Sequence, residues 1–246
     1  METKVDEIAA GIYRLSTFIP EVAPPAGINY NQFLIDADQP LLFHCGQRSL
    51  FAAVSAAAAK VIDLKRLGWI TYSHAEADEC GALNDWLAAA PQATAAQGRI
   101  GCNIWLSDAA SRPPRALKDG EVLDLGGKRV RRLDTPHLPH QWDAGLIYEE
   151  TTGTLFCSDL FTHLGNGPAL TGGDVIGPSI ATEKAFQFTS LTPETGPTIR
   201  KLAALAPKQL AIMHGSSFAG DGRTVLESLA GYYEDRLQRA VQPLPA

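Results

Sequence analysis

The sequence contains few cysteines, and no two of them have the close spacing of a metal knuckle or a redox motif. Four cysteines occur among 246 residues. They are Cys45, Cys80, Cys102 and Cys157. Such scattered cysteines indicate neither a disulfide framework nor a zinc knuckle. We therefore expect reduced thiols, as in a cytoplasmic protein.

The sequence also lacks a long apolar run and a targeting segment. It opens with METKVDEIAAG, which is charged and has no apolar core of the kind found in secretory signals. The apolar stretch LFAAVSAAAAKVI is too short and too rich in alanine to cross a bilayer. We expect no association with a membrane and a location in the cytoplasm.

Basic residues are fewer than acidic residues in this sequence. The chain has 21 Lys and Arg residues against 27 Asp and Glu residues, which gives a formal net charge of −6. Proteins that bind nucleic acids need a basic surface for the phosphates, so we expect no such partner. The one dense basic run, residues 128–133, alternates with apolar residues, which is typical of the solvated face of a strand.

The hydrophobic content of 45% is sufficient for one sizeable core. Alternating or continuous apolar residues predict single strands or two-stranded hairpins. These segments are 11–19, 29–46, 66–74, 98–108, 121–137, 144–161 and 208–215. Apolar residues recurring at threes and fours predict helices. These segments are 47–63, 79–90, 198–205 and 222–241.

The order of these elements predicts the fold class. Strands and helices alternate, antiparallel hairpins follow, and strands and helices then alternate again. This order favours an α/β (α+β) architecture in which two mixed sheets pack face to face with helices outside. We expect residues 1–246 to form one such domain. Residues 164–181 are rich in Gly and Pro and predict a long loop of the kind that covers a binding site.

Side chains that can bind metal follow several of the predicted strands at the point where each strand ends. They are His74, Glu76, Asp78, His137 or His140, Asp159 and His214. Each one alone is typical of a hydrogen-bonded scaffold residue. The whole set, delivered by separate strand ends, predicts a metal site on one rigid rim of the fold.

This ordered set resembles the ligand pattern of the metallo-β-lactamase superfamily. The segments SHAEADECGAL, TPHLPHQWD, LFCSDLF and MHG are similar to motifs of the di-iron domain of flavodiiron proteins and of stand-alone oxygen-binding di-iron proteins. GINYNQFLI near the N-terminus resembles their Tyr-Asn strand. The resemblance covers nearly the whole chain and implies the αββα sandwich of the metallo-β-lactamase fold.

The resemblance also implies two metal ions. His140, rather than His137, has the family's spacing to Asp159. The implied ligands are His74, Glu76 and His140 for the first ion, Asp78 and His214 for the second, and Asp159 as a bridge between them.

The chain departs from the family pattern in three places. Glu79 stands where the family often has His after the motif Asp. His44 stands where the second strand of the family usually continues into Asp-Thr-Gly. The chain ends at Ala246 with no flavodoxin segment and no glycine-rich phosphate loop, so we expect no FMN in this chain.

The carboxylates favour iron over zinc. Zinc sites are rich in imidazole and serve Lewis-acid work, whereas three His with three carboxylates form a harder, more anionic set. Three carboxylates oppose the four positive charges of two divalent ions, and such a set eases oxidation to trivalent metal. We expect two iron ions that cycle between ferrous and ferric states, with zinc or manganese as alternatives.

Three neighbouring residues, Glu79, His44 and Cys80, keep two interpretations each, and Tyr30 has one that rests on the resemblance. Glu79 either coordinates or supports the metals, or it is a first-turn helix residue favoured by the helix dipole. Tyr30 donates a hydrogen bond to bound oxygen in the family-like interpretation, and we count it with Glu79 as a candidate catalytic residue. His44 either orients a ligand or is an ordinary strand-end residue. Cys80 is either a buried helix residue or a ligand.

Two functions follow. The first is a non-haem di-iron protein that binds or reduces dioxygen, or nitric oxide, as a sensor or as a reductase with a separate electron donor. The second is a dinuclear hydrolase of an ester, thioester or phosphoester, which is the commoner activity of this superfamily. Formation of a homodimer is compatible with either function.

Overall fold

The computed structural model describes residues 2–241, and its framework is a pair of seven-stranded sheets packed face to face. The first sheet follows the chain order. Its strands are β1 Thr3–Ala9, β2 Ile12–Ile19, β3 Ile28–Ile35, β4 Leu41–Phe43, β5 Trp69–Thr71, β6 Thr94–Gly98 and β7 Arg115–Leu117. Neighbours are antiparallel from β1 to β4 and parallel from β4 to β7.

The second sheet comes from the remainder of the chain. Its strands are β8 Val122–Asp124, β9 Arg129–Asp134, β10 Gly145–Glu149, β11 Thr154–Ser158, β12 Leu170–Thr171, β13 Gln209–Ile212 and β14 Ser217–Ala219. Their order across the sheet is β12-β14-β13-β11-β10-β9-β8. The predicted hairpins β8–β9 and β10–β11 are antiparallel, whereas β11 and β13 run parallel, so both sheets are mixed.

Helices cover the outer faces of both sheets. They are α1 Phe51–Ala58, α2 Ala77–Cys80, α3 Leu83–Ala89, α4 Arg99–Gly101, α5 Ser107–Ala109, α6 Ile176–Phe186, α7 Thr195–Ala204 and α8 Gly222–Val241, with 3₁₀ turns at Arg48–Leu50 and Leu64–Arg66 and a π-helix at Cys102–Leu106. Buried side chains of α1 and α3 pack on the first sheet, and those of α7 and α8 pack on the second. This arrangement confirms the expected αββα sandwich.

The space between the sheets holds aliphatic side chains and three phenylalanines that come from both sheets. Phe33, Phe43 and Phe156 are fully buried. The Phe156 ring centroid lies 5.6 Å from that of Phe33 and 5.4 Å from that of Phe43, in edge-to-face contacts. Such pairs add about 0.5–1.5 kcal/mol beyond the burial of their area. They therefore fix how the two sheets, and the loops on their rim, face each other.

The prediction of a strand at residues 98–108 is wrong. The strand of this region is β6, which ends at Gly98, and the chain then turns into consecutive helical segments. Cys102 and Leu106 are buried, whereas Ile100 and Ile104 are exposed. The apolar residues of this segment therefore recur with a helical period and form two faces. Cys102 and Leu106 face the core, whereas Ile100 and Ile104 face the solvent. The small residues of β6 gave little sign of a buried strand.

The long loop predicted for residues 164–181 is shorter than expected because α6 begins at Ile176. The Asp174 carboxylate accepts hydrogen bonds from the backbone N–H groups of Ile176 and Gly177, which caps the new helix. Pro178 is tolerated because N–H groups in the first turn have no partner within the helix. The Gly and Pro content concealed this helix start.

Several other boundaries differ from the predictions. The helix predicted for 47–63 is α-helical only to Ala58, and that predicted for 79–90 is divided into α2 and α3. The strand predicted for 66–74 is only three residues long. The strands β1, β6, β7, β12 and β14 were not predicted. None of the helices within residues 2–241 combines the length and the apolar character needed to traverse a bilayer.

The candidate ligands lie on the segments that follow the ends of four strands, and one of them, Asp78, is in α2. His74 follows β5, His140 follows β9, Asp159 follows β11, and His214 follows β13. Each segment leaves a strand that is fixed by neighbours on one or both sides. The sandwich therefore presents these side chains from rigid supports.

Candidate metal centre

Four of the predicted ligands converge on one point. The ligand atoms of His74, Glu76, His140 and Asp159 all lie within 4.8 Å of one another. Oε2 of Glu76 lies 3.0 Å from Nε2 of His74 and 2.9 Å from Nε2 of His140. Oδ2 of Asp159 lies 3.5 Å and 3.6 Å from the same two nitrogens. Two imidazoles and two carboxylates thus surround one potential cation site.

A second group of ligands adjoins the first through Asp159. Nε2 of His214 lies 3.1 Å from Oδ1 of Asp159 and 3.3 Å from Oδ2 of Asp78. Asp159 therefore turns one carboxylate oxygen towards His74 and the other towards His214. The side chain lies between the two groups, as a bridging ligand would. The exposed His137 is not a member of the described cluster.

The imidazoles are hydrogen-bonded in a way that suits metal binding. Nδ1 of His214 lies 2.8 Å from the carbonyl oxygen of Asn29 and can only donate to it. That tautomer leaves a lone pair on Nε2, directed at the two aspartates. Nδ1 of His74 lies 3.0 Å from Oγ of Ser73. The contacts at Nδ1 therefore fix the orientation of the His214 and His74 rings.

The carboxylates of the cluster need positive charge nearby to balance them. Burial lowers the pKa of His74, but neighbouring carboxylates outweigh burial and raise it to about 9. Hydrogen bonds from His140 and His74 lower the pKa of Glu76 to about 2. Against the effect of burial, neighbouring carboxylates also raise the pKa of His214, so protons on His74 and His214 balance carboxylate charge in the metal-free protein. Metal ions supply the same positive charge, so the donor set fits a pair of divalent ions.

Glu79 lies behind His74, on the side away from the cluster. Its carboxylate is fully buried and accepts hydrogen bonds from the Ser73 N–H at 2.9 Å and from Oγ of Ser158 at 2.6 Å. Oε1 is 3.8 Å from Nδ1 of His74, whereas Nε2 of that ring faces the cluster. The carboxylate therefore contacts the residues that precede His74 and Asp159. This is a supporting position and not a coordinating one.

Glu79 also meets His44, so two departures from the family pattern are neighbours in space. Nε2 of His44 lies 3.0 Å from Oε2 of Glu79, although the approach is poorly aligned for a hydrogen bond. Burial raises the pKa of Glu79 to about 8 and lowers that of His44 to about 3. The metal-free pair therefore carries little net charge. An imidazole that follows β4 and an acid on α2 therefore meet behind the cluster.

The other candidate residues have defined places. The Tyr30 ring packs edge-on against His214, with 5.2 Å between ring centroids. Burial and the Asp78 carboxylate raise the pKa of Tyr30, so its phenol stays protonated. The Cys80 thiol donates a hydrogen bond to the carbonyl oxygen of Glu76 at 3.1 Å. Its sulfur therefore contacts the backbone of Glu76.

A cavity of about 280 Å³ opens above the cluster. Its floor is made of candidate ligands, namely Glu76, Asp78, His140, Asp159 and His214. Its walls are Val22, Ala23, Ile28, Thr162, Leu164, Thr182, Phe186 and Phe188. From the predicted loop 164–181 only Leu164 reaches this cavity. The sequence did not indicate the two phenylalanines, because nothing local marks them as neighbours of the ligands.

A buried hydrogen-bond network holds the wall that carries those phenylalanines. The Glu183 carboxylate on α6 is buried and accepts from Oγ1 of Thr189 at 2.8 Å and from the Tyr233 hydroxyl at 3.2 Å. It also pairs with Arg236 of α8 at 2.5 Å. The network joins α6 to α8 and encloses the turn that contains Phe188.

Glu183→Gln is expected to lower the free energy of unfolding by about 1–3 kcal/mol. The amide keeps the shape but weakens the charge-assisted bond to Arg236 and brings N–H groups towards the donors of Thr189 and Tyr233. Urea denaturation of the metal-free protein measures the change. The exposed neighbour Lys184→Gln is the control and is expected to stay within about 0.5 kcal/mol of the wild type. Equal midpoints for the two variants would contradict the network's role.

Comparison with known proteins gives one family model and many relatives. The model, described as ODP family beta lactamase, matches residues 28–174. Putative diflavin flavoprotein A 2 of Synechocystis sp. is 30% identical over 138 residues, which cover 55% of this chain and 24% of the relative. The anaerobic nitric oxide reductase flavorubredoxin of Salmonella arizonae is 29% identical over 143 residues, which cover 55% of this chain and 29% of the relative.

Solved structures share the fold. The rubredoxin oxygen:oxidoreductase of Desulfovibrio gigas superimposes with a TM-score of 0.81 at 20% identity, over 94% of this chain and 62% of that one. This agreement confirms the metallo-β-lactamase type of sandwich. The present chain spans about a quarter of the length of the two relatives named above.

Proposed function

The chain belongs to the ODP family of beta lactamases, and from this membership and the geometry of the centre we propose that it is a non-haem di-iron protein that binds or reduces dioxygen. Nitric oxide is the alternative diatomic ligand, since one relative is named a nitric oxide reductase. The observation that carries the proposal is the position of Asp159 between two ligand groups of a carboxylate-rich set.

The proposal assigns each ligand a role. His74, Glu76 and His140 would hold one iron ion, Asp78 and His214 the other, and Asp159 both. When bound, the iron pair would supply electrons to the diatomic ligand. Carboxylate oxygens suit the ferric state better than an imidazole-rich set does, and this supports iron over zinc or manganese.

The residues around the cluster would orient the ligands and exclude water. The bond from Nδ1 of His214 to the Asn29 carbonyl keeps the other nitrogen free for a metal. Tyr30 would hold the plane of the His214 ring by edge-on packing and keep its hydroxyl proton, so it remains a candidate donor near the centre. The apolar cavity walls would favour an apolar gas over water.

Electrons would come from a separate donor in this proposal. The relatives carry flavin or rubredoxin in their names, and the residues of this chain that match them belong to the metal-binding sandwich. A sustained supply of electrons would make the protein a reductase, and a lasting adduct would make it a sensor. A cytoplasmic location would agree with four free cysteines. Homodimer formation remains a prediction.

The proposal is tested by the absorption spectrum of anaerobically iron-loaded protein before and after admission of O2. Metal content is counted on the same sample. The expected result is two irons per chain and a new near-ultraviolet or visible charge-transfer band. Wild-type protein that holds two zinc ions but refuses iron, or that shows no spectral change, would contradict the proposal and favour the hydrolase. The exposed-site variant Asp108→Asn is the control and is expected to match the wild type.

A further inference from the structure

The cavity above the cluster is larger than a diatomic ligand needs. The cavity volume of about 280 Å³ far exceeds the roughly 10–15 Å³ that a site for a single water molecule needs. A cavity of this size is close to the range of pockets that bind small organic molecules. Dioxygen alone would touch only a small part of the walls.

The walls are suited to an apolar body. The apolar wall residues come from distant parts of the chain. Val22 and Ala23 lie in the β2–β3 connection, and Ile28 begins β3. Leu164 lies in the loop after β11, Phe186 ends α6, and Phe188 follows that helix. At the mouth, Val22 and Phe186 expose 39% and 55% of their surface. Large apolar side chains that remain exposed around a concave site are typical of a ligand-binding surface.

The floor is suited to a single negative charge. With both ions in place, four positive charges face the three carboxylates Glu76, Asp78 and Asp159, which leaves about one positive charge. A monoanionic head on the floor would neutralise that charge, and an apolar tail would then lie along the walls.

We propose that this cavity binds an amphiphilic organic monoanion, a carboxylate head with an apolar body of about five to seven carbons. The proposal rests on the two-metal function proposed above for the charge of the floor. The preference for an apolar body rests on the cavity walls alone. The proposal adds an organic ligand or co-substrate to the diatomic gas named in the proposed function.

The test is the dependence of affinity on chain length. Calorimetric titrations of protein loaded with two Zn²⁺ ions, which are redox-inert, would use acetate, butanoate, hexanoate and octanoate. Burial of each CH₂ is worth about fourfold in affinity, so hexanoate is expected to bind about fifteenfold more tightly than butanoate. The gain is expected to stop near octanoate, when the tail fills the cavity.

A matched pair of variants locates the binding. Phe188→Ala is expected to weaken hexanoate binding about tenfold and to leave acetate within about twofold of the wild type. Ile104→Ala removes an exposed apolar side chain from a different surface and is expected to change neither. A loss of hexanoate affinity in the Ile104 variant equal to that in the Phe188 variant would overturn the assignment.

The outcomes separate this proposal from the di-iron proposal. Two zinc ions with no dependence on chain length would overturn the organic-ligand proposal and leave the metal centre intact. Chain-length dependence in wild-type protein that holds fewer than two metals would support the cavity as a ligand site and contradict the two-metal proposal.

Discussion

Asp159→Asn is expected to reduce the metal content from two ions per chain to about one or fewer. The two oxygens of Asp159 face different ligand groups, one towards His74 and His140 and the other towards His214. An amide offers one neutral oxygen and an N–H group, so it cannot serve both. The loss of affinity is expected to exceed the 10- to 100-fold effect typical of residues that only orient a ligand.

Metal content after equilibration with a limited excess of Fe²⁺ or Zn²⁺, followed by desalting, measures this effect. The control Asp108→Asn removes an exposed carboxylate outside the described cluster and is expected to retain two ions. If Asp159→Asn also retained two ions with wild-type affinity, Asp159 would not bridge them. The proposed division of the ligands between the two ions would then be wrong.

Glu79→Ala is expected to lower the free energy of unfolding of the metal-free protein by about 3 kcal/mol or more. The substitution leaves the Ser73 N–H and the Ser158 hydroxyl without their acceptor in a buried site. Each such orphaned donor costs about 1–3 kcal/mol, and the cavity left by the side chain adds to this. Urea denaturation measures the change, and the exposed Glu194→Ala is the control.

The same variant is expected to lose about 10- to 100-fold in metal affinity, because Glu79 holds the Ser73 N–H and the Ser158 hydroxyl, which belong to the residues next to two ligands. An exchange of the acid and the imidazole between positions 44 and 79 separates this positioning role from simple loss of packing. His44→Asp and Glu79→His are each expected to weaken metal binding, and the double variant is expected to recover much of the loss, since it restores an acid–imidazole pair. A double variant no better than the sum of its singles would count against such a pair.

Some of the fold could be predicted because its signals are local. The hairpins β8–β9 and β10–β11 were predicted from turn residues between alternating strands, and α8 was predicted with its observed bounds. The helical run after β6 was misread because its period depends on which face the rest of the fold covers. Ile104 and Leu106 are both apolar, and only packing decides that one is exposed and the other buried.

For the candidate site, the ligand types were predictable and their support was not. His74, Glu76 and Asp78 stand close together in the chain, and the later ligands each follow a predicted strand. Ser158 shows what was missed. Its φ of +49° is sparsely populated for a residue with a side chain, and it turns the chain after β11 just before Asp159. No residue pattern announces this turn.

The sequence by itself determined which side chains can bind metal and on which strand ends they lie, because residue type and strand period are properties of neighbouring residues. Only the tertiary structure decided that Asp159 lies between two ligand groups, that Glu79 lies behind His74 against His44, and that an apolar cavity covers the cluster. These contacts join distant segments. They exist because two sheets pack face to face at one angle and distance, which many non-local side chains set together.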